Sequence, residues 1–485
     1  MARMDGSHRR RLHADEDRLG ALPDDLLLDI LRRLDTRTAL GAAALSRRWA
    51  GLAREVPVLD LKVTDKLPPR YHRCFRLRDD ARDSKISSTL SDRWHLEAIA
   101  ARYERRAMRS MVRSVKSLLA SQARRGVERL SLEVFAYSTS SSINRLVVDA
   151  VDSWGVRDLE FVATPTGPIA YPEPPAYSFP LGLISRKPGQ SRLRSFKPAN
   201  CFPPPLRGFN ALTMLVLRDL PAPTPPAAYE AVVADCPQLQ VLHLLSCKLK
   251  IRTGRVVLDA PGSEIRELVV DGEHMVVEIR SLPKPARLRA ALLPRRRPVP
   301  CAHCLILVLV LFFRCAITVK DLVFRFTGPE MWIVPTTPFS GIMSCLRRLL
   351  VADVPSSWDA SWPRLLIEAA PLLESLYVHV SHGEDEPSQE EIPGETSASR
   401  HHHLKELVVI GFQRTERQMR LVRFAVEAST ALRRVALLKH GRVEDRGPCC
   451  DWEVVSQQTA WCDEERLAVL DGIGCSTGRI QVVLS

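Results

Sequence analysis

LQVLHLLSCKL, residues 239–249, sets leucines at 239, 242 and 244, a cysteine at 247 and a further leucine at 249. A β-strand sends successive side chains to opposite faces, so Leu242 and Leu244 share one face and Leu239 joins them from the approach. By that register Gln240 and His243 are strand-surface positions. The pattern, apolar-x-x-apolar-x-apolar, recurs along the chain. It appears as VERLSL from Val127, VRDLEF from Val156, LTMLVL from Leu212, IRELVV from Ile265, VKDLVF from Val319, LRRLLV from Leu346, LESLYV from Leu373, LKELVV from Leu404 and LRRVAL from Leu432, with a weaker copy, LRSF, from Leu193. Neighbouring copies start 26, 27, 27 and 28 residues apart at 239–265, 319–346, 346–373 and 404–432. The interval 265–319 is 54, twice 27, which points to a degenerate copy around ARLRAALLP at 286–294.

A fixed period of this kind means that each unit buries its apolar face against its neighbours rather than in one central core. The fold class expected is α/β: a horseshoe-like leucine-rich-repeat solenoid in which Cys247 takes the position where such repeats satisfy backbone at the turn. The same register makes Glu374, Ser375, Tyr377, Lys405, Glu406, Val408, Arg433, Arg434 and Ala436 outward or turn positions. A protein substrate on the concave side would then touch His243 and Tyr377, with Tyr377 the stronger anchor because aromatic residues dominate interface energetics. Proline denies helix and central strand to 163–182 and 221–228, which read as loops. The acidic stretch 382–399 reads as a disordered insertion.

A chain of 485 residues exceeds what a single core supports, and 45% hydrophobic with 26% charged residues predicts folding. Twelve cysteines lie outside any disulfide-framework spacing, and Asn144, Asn200 and Asn210 do not open Asn-x-Ser/Thr sites, so a reducing interior, nucleus or cytoplasm, is expected. Residues 1–18 have a basic start without an apolar segment after it and read as a disordered leader rather than a signal peptide. Leu305–Phe313 is too short to cross a bilayer, which takes roughly 20 residues, and reads as a buried strand; no membrane partner is expected.

At 22–50 the chain reads LPDDLLLDILRRLDTRTALGAAALSRRWA. Leu19, Leu22, Leu26, Ile30 and Leu34 fall on one helical face, and Pro23 with Asp24 and Asp25 suits a first turn. Helices this short bury little surface alone, so an apolar strip is left for a partner. An ordinary helical hairpin or a DNA-binding helix-turn-helix shares these features. The Leu-Pro start and the Leu-Ser-Arg-Arg-Trp ending resemble an F-box of the plant form. That resemblance implies docking onto a Skp-type adaptor, and through it a cullin scaffold, by Leu22, Pro23, Leu26, Ile30, Leu34 and Trp49. Residues 401–438 read strand, turn, amphipathic helix, strand, with Leu421, Phe424 and Ala425 on one helical face, and resemble the FBD module that closes many plant F-box/leucine-rich-repeat proteins. The organisation expected is a leader (1–18), F-box (19–58), basic linker and capping helix (59–126), leucine-rich repeats (127–400), FBD-like repeats (401–445) and a C-terminal extension (446–485).

Catalytic patterns are missing: the sequence holds no GxxxxGK[ST] loop, GxSxG elbow or HExxH pair, and neither catalytic nor metal-ligating residues nor a cofactor are assigned. Cys301, His303 and Cys304 lack the second ligand pair that a zinc site needs. His401, His402 and His403 read as a solvated run before a strand. The formal charge of +13 is uneven, because residues 70–125 hold 15 Lys or Arg against 6 Asp or Glu. There Ile99, Tyr103, Met111, Val115 and Leu118 share one helical face, with Arg102, Arg105, Arg109, Arg113 and Lys116 opposite. This is the pattern of a helix capping the solenoid, and also of a contact to an acidic surface. The function expected is a non-catalytic substrate adaptor of an SCF-type ubiquitin ligase, without a nucleic-acid partner. The rival is a basic helical-plus-solenoid nucleic-acid binder.

Overall fold

The computed structural model describes residues 21–83, 90–120, 127–136, 141–165, 176–179, 184–222, 224–249, 255–271, 276–292, 318–326, 343–354, 366–381, 400–446, 451–456, 461–473 and 480–485. The leader 1–18, the Cys301–Cys304 group, the run 305–313 and the acidic stretch 382–399 lie outside these residues.

Three short helices open the described chain: α1 (Asp24–Arg33), α2 (Thr36–Gly41) and α3 (Arg47–Leu52). The strands β1 (Val58–Lys62), β2 (Arg129–Phe135), β3 (Asp158–Thr164), β4 (Ser195–Ala199), β5 (Met214–Arg218) and β6 (Val241–Leu245) follow, each parallel to the next. Next come β7 (Arg255–Asp259), β8 (Glu267–Asp271), β9 (Val276–Ser281) and β10 (Arg287–Leu292); β7 and β9 form a small parallel pair of their own. The series continues with β11 (Asp321–Phe326), β12 (Arg348–Val354), β13 (Ser375–Val380), β14 (Glu406–Ile410) and β15 (Arg434–Leu438). An antiparallel hairpin of β16 (Gly441–Asp445) and β17 (Trp452–Ser456) precedes β18 (Gln481–Leu484). Fourteen strands make one parallel sheet in the order β1-β2-β3-β4-β5-β6-β8-β10-β11-β12-β13-β14-β15-β18.

The repeated leucines explain why the sheet runs in chain order. One register column passes through Leu59, Leu130, Leu159, Phe196, Leu215, Leu242, Leu268, Leu288, Leu322, Leu349, Leu376, Leu407, Val435 and Val482. All but the edge residue Val482 are at most 2% exposed. They belong to one apolar cluster, which includes Ile143 and Leu146 of α6 (Ser141–Asp149), Val232 of α7 (Pro226–Asp235), Leu421 of α8 (Glu416–Ala428) and Val469 of α9 (Asp463–Ile473). Stacked units of this kind bury apolar surface only between neighbours.

Each strand must then leave the sheet sharply. Asn200, Asp219, Ser246, Asp353 and Gly411 all have positive φ, from 51° to 77°, and all stand four residues after the column residue of their strand. Asparagine, aspartate and glycine tolerate this left-handed conformation better than most residues. One residue later, the Cys247 thiol donates to the Leu217 and Leu245 carbonyls at 3.4 and 3.5 Å, and the Cys201 thiol donates to Ala199 O at 3.1 Å. The side chain of Asn200 donates to Ala163 O at 2.8 Å. These donors satisfy buried carbonyls at the turn, and burial pushes the Cys247 thiol up to about 12.

Two further helices, α4 (Pro69–Asp83) and α5 (Leu90–Ala120), precede β2. Met111, Val115 and Leu118 of α5 are buried in the main cluster, while Arg102, Arg105, Arg109, Arg113 and Lys116 face outward. The Tyr71 hydroxyl donates to the buried Glu104 carboxylate at 2.9 Å and ties the two helices together.

Four sequence expectations change. The copy taken as degenerate at 286–294 is a regular strand, β10, paired with both β8 and β11. The proline-rich 221–228 does enter a helix, because Pro226 occupies the first position of α7, where its missing N–H costs nothing. His401 is buried rather than solvated: its Nε2 lies 2.9 Å from Ala370 O, and its Nδ1 accepts from Leu404 N at 3.0 Å. The segment 446–485 is not a mere extension, since β18 adds a strand to the main sheet beside β15.

Two outcomes are expected. Leu242→Ala should lower unfolding free energy by about 2–5 kcal/mol in urea titration. Burial holds the His401 imidazole below its ordinary 6.5, so the unfolded chain binds the extra proton. Its contribution is therefore complete above that value and is lost as pH falls through it, so Tm should fall between pH 7 and 5 less in His401→Gln than in the parent.

Candidate functional site

Two surfaces carry the sequence-derived candidates. The first is the helical module at 21–56. Asp24 and Asp25 lie in the first turn of α1 and Arg32 and Arg33 in its last, as the helix dipole favours. Asp35 caps α2, accepting from Thr38 N at 3.0 Å and from the Thr38 hydroxyl at 2.6 Å, and these bonds hold its carboxyl below the usual range. Ser46 caps α3 by accepting from Trp49 N at 3.3 Å.

Leu27, Leu31, Ala39, Leu52 and Val56 close a small core, with Leu22, Ile30 and Trp49 half-buried against it. The next helical face points out: Leu26 is 51% exposed, Leu34 40% and, beyond α2, Leu45 71%. Pro23 is exposed as well. Of the six candidates, then, Pro23, Leu26 and Leu34 present themselves to solvent, while Leu22, Ile30 and Trp49 pack half-buried against the core. Leu19 lies outside the described residues. Sequence reading missed Arg48, whose Nε donates to Asp24 Oδ1 at 2.6 Å and which also donates to Leu22 O. It fastens α3 to the start of α1. Its signal was its place in SRRW, one residue before the tryptophan. Thr36 joins the module to the sheet, its hydroxyl accepting from Asp60 N of β1 at 2.8 Å.

The second surface is the sheet face opposite the leucine column. Its middle register column reads Asp60, Ser131, Glu160 and Lys197 at one end, then Val323, Leu350, Tyr377, Val408, Ala436 and Val483 at the other. His243 belongs to this column but is not free to touch a partner. It is only 2% exposed, with Nε2 2.7 Å from Glu267 Oε1, and it is flanked by Val216 and Val269, which are also buried. Strands stand about 4.8 Å apart, so bulky neighbours in one column cover each other. The expectation of an exposed His243 is thus corrected.

Tyr377 is half-buried for another reason. Trp452 of the hairpin meets it edge-to-face, ring centroids 4.8 Å apart, and its hydroxyl donates to Glu406 Oε2 at 2.6 Å. Burial, and then the Glu406 carboxylate beside it, push the phenol up to about 12. The Arg348 guanidinium stacks 3.9 Å from the centre of the Trp452 ring. Val323, Leu350 and Ala352 are buried around Trp452; Val408, Ile410, Ala436 and Leu438 are buried beside them, and Val443 and Val454 of the hairpin pack against both groups. Val408 and Ala436, expected at outward or turn positions, are therefore covered. Glu374, by contrast, stays on the strand margin, paired with Arg347 and with Lys405.

Among the described residues no group of three or more His, Cys, Asp or Glu is placed to hold a metal ion, and no helix is long and apolar enough to cross a membrane.

The F-box-like family model matches residues 19–59. Three plant relatives are similar over short stretches. A putative F-box/FBD/LRR-repeat protein of Arabidopsis thaliana is 42% identical over 60 residues, 12% of this chain and 13% of the relative. The meiotic F-box protein MOF of Oryza sativa subsp. japonica is 43% identical over 81 residues, 15% and 17% of the two chains. An FBD-associated F-box protein of Arabidopsis thaliana is 45% identical over 56 residues, 12% of each. The matches thus span less than a fifth of these relatives' length.

Arg48→Ala should speed amide exchange at Leu27 and Leu31 by the equivalent of about 1 kcal/mol, a modest figure because its ion pair is partly exposed. Exchange in β14 should stay unchanged, and mass-spectrometric exchange reads both regions at once.

Proposed function

The chain carries an F-box-like domain at residues 19–59, and from that premise we propose that it is a substrate-recruiting subunit of an SCF-type ubiquitin ligase. The observation that carries the reading is the exposure of Leu26, Leu34 and Leu45 on one small helical module. Three of the eight exposed large hydrophobic residues among the described ones fall within its helical part, 21–56. Exposed apolar side chains clustered on a small helical body mark a protein contact. In this reading these residues, with Pro23 and the half-buried Leu22, Ile30 and Trp49, dock a Skp-type adaptor that leads to a cullin scaffold.

The parallel sheet is the partner-binding body, built as a leucine-rich-repeat solenoid whose last units are FBD-like. Its regular column of buried leucines and its repeated left-handed turn support that assignment. Ubiquitin transfer belongs to other subunits; the residues on this chain's exposed faces supply grip rather than chemistry.

A second reading rests on the outward row Arg102, Arg105, Arg109, Arg113 and Lys116 of α5, which suits an anionic surface such as nucleic acid. One experiment separates the two. Leu26 is exposed, so Leu26→Asp should leave thermal unfolding unchanged while weakening Skp-type adaptor capture by on the order of 3 kcal/mol, because a charge would be buried unpaired. Full capture by the folded variant, together with nucleic-acid binding that falls steeply with salt, would favour the second reading.

A further inference from the structure

The outer sheet face changes character along the molecule. Toward β1 its middle column is polar; from β11 onward it is apolar, and there the hairpin lies on it. Among the described residues the hairpin's strand pairing is with itself: β16 and β17 form a separate two-stranded sheet and take no place in the fourteen-strand ladder. Its two ends, Gly441 and Ser456, are cross-strand partners. It is therefore an insertion in the β15-to-β18 crossover, one that the ladder does not need.

What holds it down is concentrated in a few side chains. Trp452, 8% exposed, sits against Leu350, Val323 and Tyr377 with the Arg348 guanidinium over its ring. Asp451 pairs with Arg287 at 3.1 Å, and Val454 and Val443 rest on the Val408 and Ile410 group. On β17 alone, one aromatic anchor, one acidic neighbour and one valine two residues on is the chemistry by which an interface captures an extended segment, and Val443 of β16 adds to it. The contacts come from side chains, so a second polypeptide with the same side chains would find the same partners.

We infer that the outer face of β11 to β15 is a binding site for an extended partner segment of the form acidic-Trp-x-Val, which the hairpin occupies as a built-in, displaceable ligand. The sequence Asp451-Trp452-Glu453-Val454 is that form in this chain, with Trp452 and Val454 on the strand side that meets the sheet. The inference deepens the recruitment reading and rests on it for the partner's fate. Its test does not involve the adaptor, so the two fail separately.

The probe is a fluorescent synthetic peptide of residues 441–456 with Cys449→Ser and Cys450→Ser. The receptors are the full chain and a variant in which 442–455 is replaced by two glycines, a bridge that the paired ends allow. The variant should bind the peptide saturably, the full chain about ten-fold or more weakly, since its own hairpin competes at high local concentration. Trp452→Ala in the peptide should weaken binding to the variant about thirty-fold. No saturable binding by a folded variant, or equal binding by both receptors, overturns the inference.

Should the variant fail to fold, amide exchange on the full chain decides. A displaceable hairpin opens on its own, so amides of β16 and β17 should exchange about ten-fold or more faster than those of β14 beneath. Equal protection would make the hairpin a permanent part of the fold and overturn the inference.

Discussion

Each strand of the main sheet depends on the same pair of contacts: backbone hydrogen bonds to the next parallel strand, and a buried leucine, phenylalanine or valine stacked on the equivalent residue of that strand. Neither contact works alone. A parallel ladder is stable only when its faces are covered, and a lone repeat cannot cover its own. The crossover segments supply the covering, with α6, α7, α8 and α9 contributing apolar residues to the cluster under the column. In β4, β5, β6, β12 and β14 the left-handed residue four places after the column residue lets the chain turn out of the ladder without breaking the stack.

This arrangement was largely legible in the sequence because the inner face is a local property of each repeat. The six-residue pattern places Leu239, Leu242 and Leu244 in the core from spacing alone, and all three are buried. Of the helical face read at 19–34, Leu26 and Leu34 are exposed, while Leu22 and Ile30 are half-buried against the core of Leu27 and Leu31, a division that spacing alone did not make. The outer face of the sheet was not legible either. Whether His243 or Tyr377 meets solvent depends on residues distant in sequence: Glu267 closes over one, and Trp452 over the other. A repeat pattern says which face a side chain leaves from, and nothing about what later folds onto that face.

Composition was the weaker guide. Proline at 226 looked like a helix breaker yet opens α7, because position within the helix decides its effect. Three histidines looked like a solvated run, yet the first is a buried turn residue whose two ring nitrogens each meet a backbone group. In both cases a residue type was read where only a position could be.

The bond from Asp60 N to the Thr36 hydroxyl fixes the helical module to the first strand of the sheet. From β1 to β13 there are ten steps in the ladder, each about 4.8 Å, so the face under Trp452 lies about 48 Å from the module, measured along the sheet. The sheet thereby acts as a measuring rod. Adding or removing one repeat would shift that face relative to the module by about 5 Å while leaving both ends chemically unchanged. The spacing between the two ends and the chemistry of each are set by different residues, so either can change without disturbing the other.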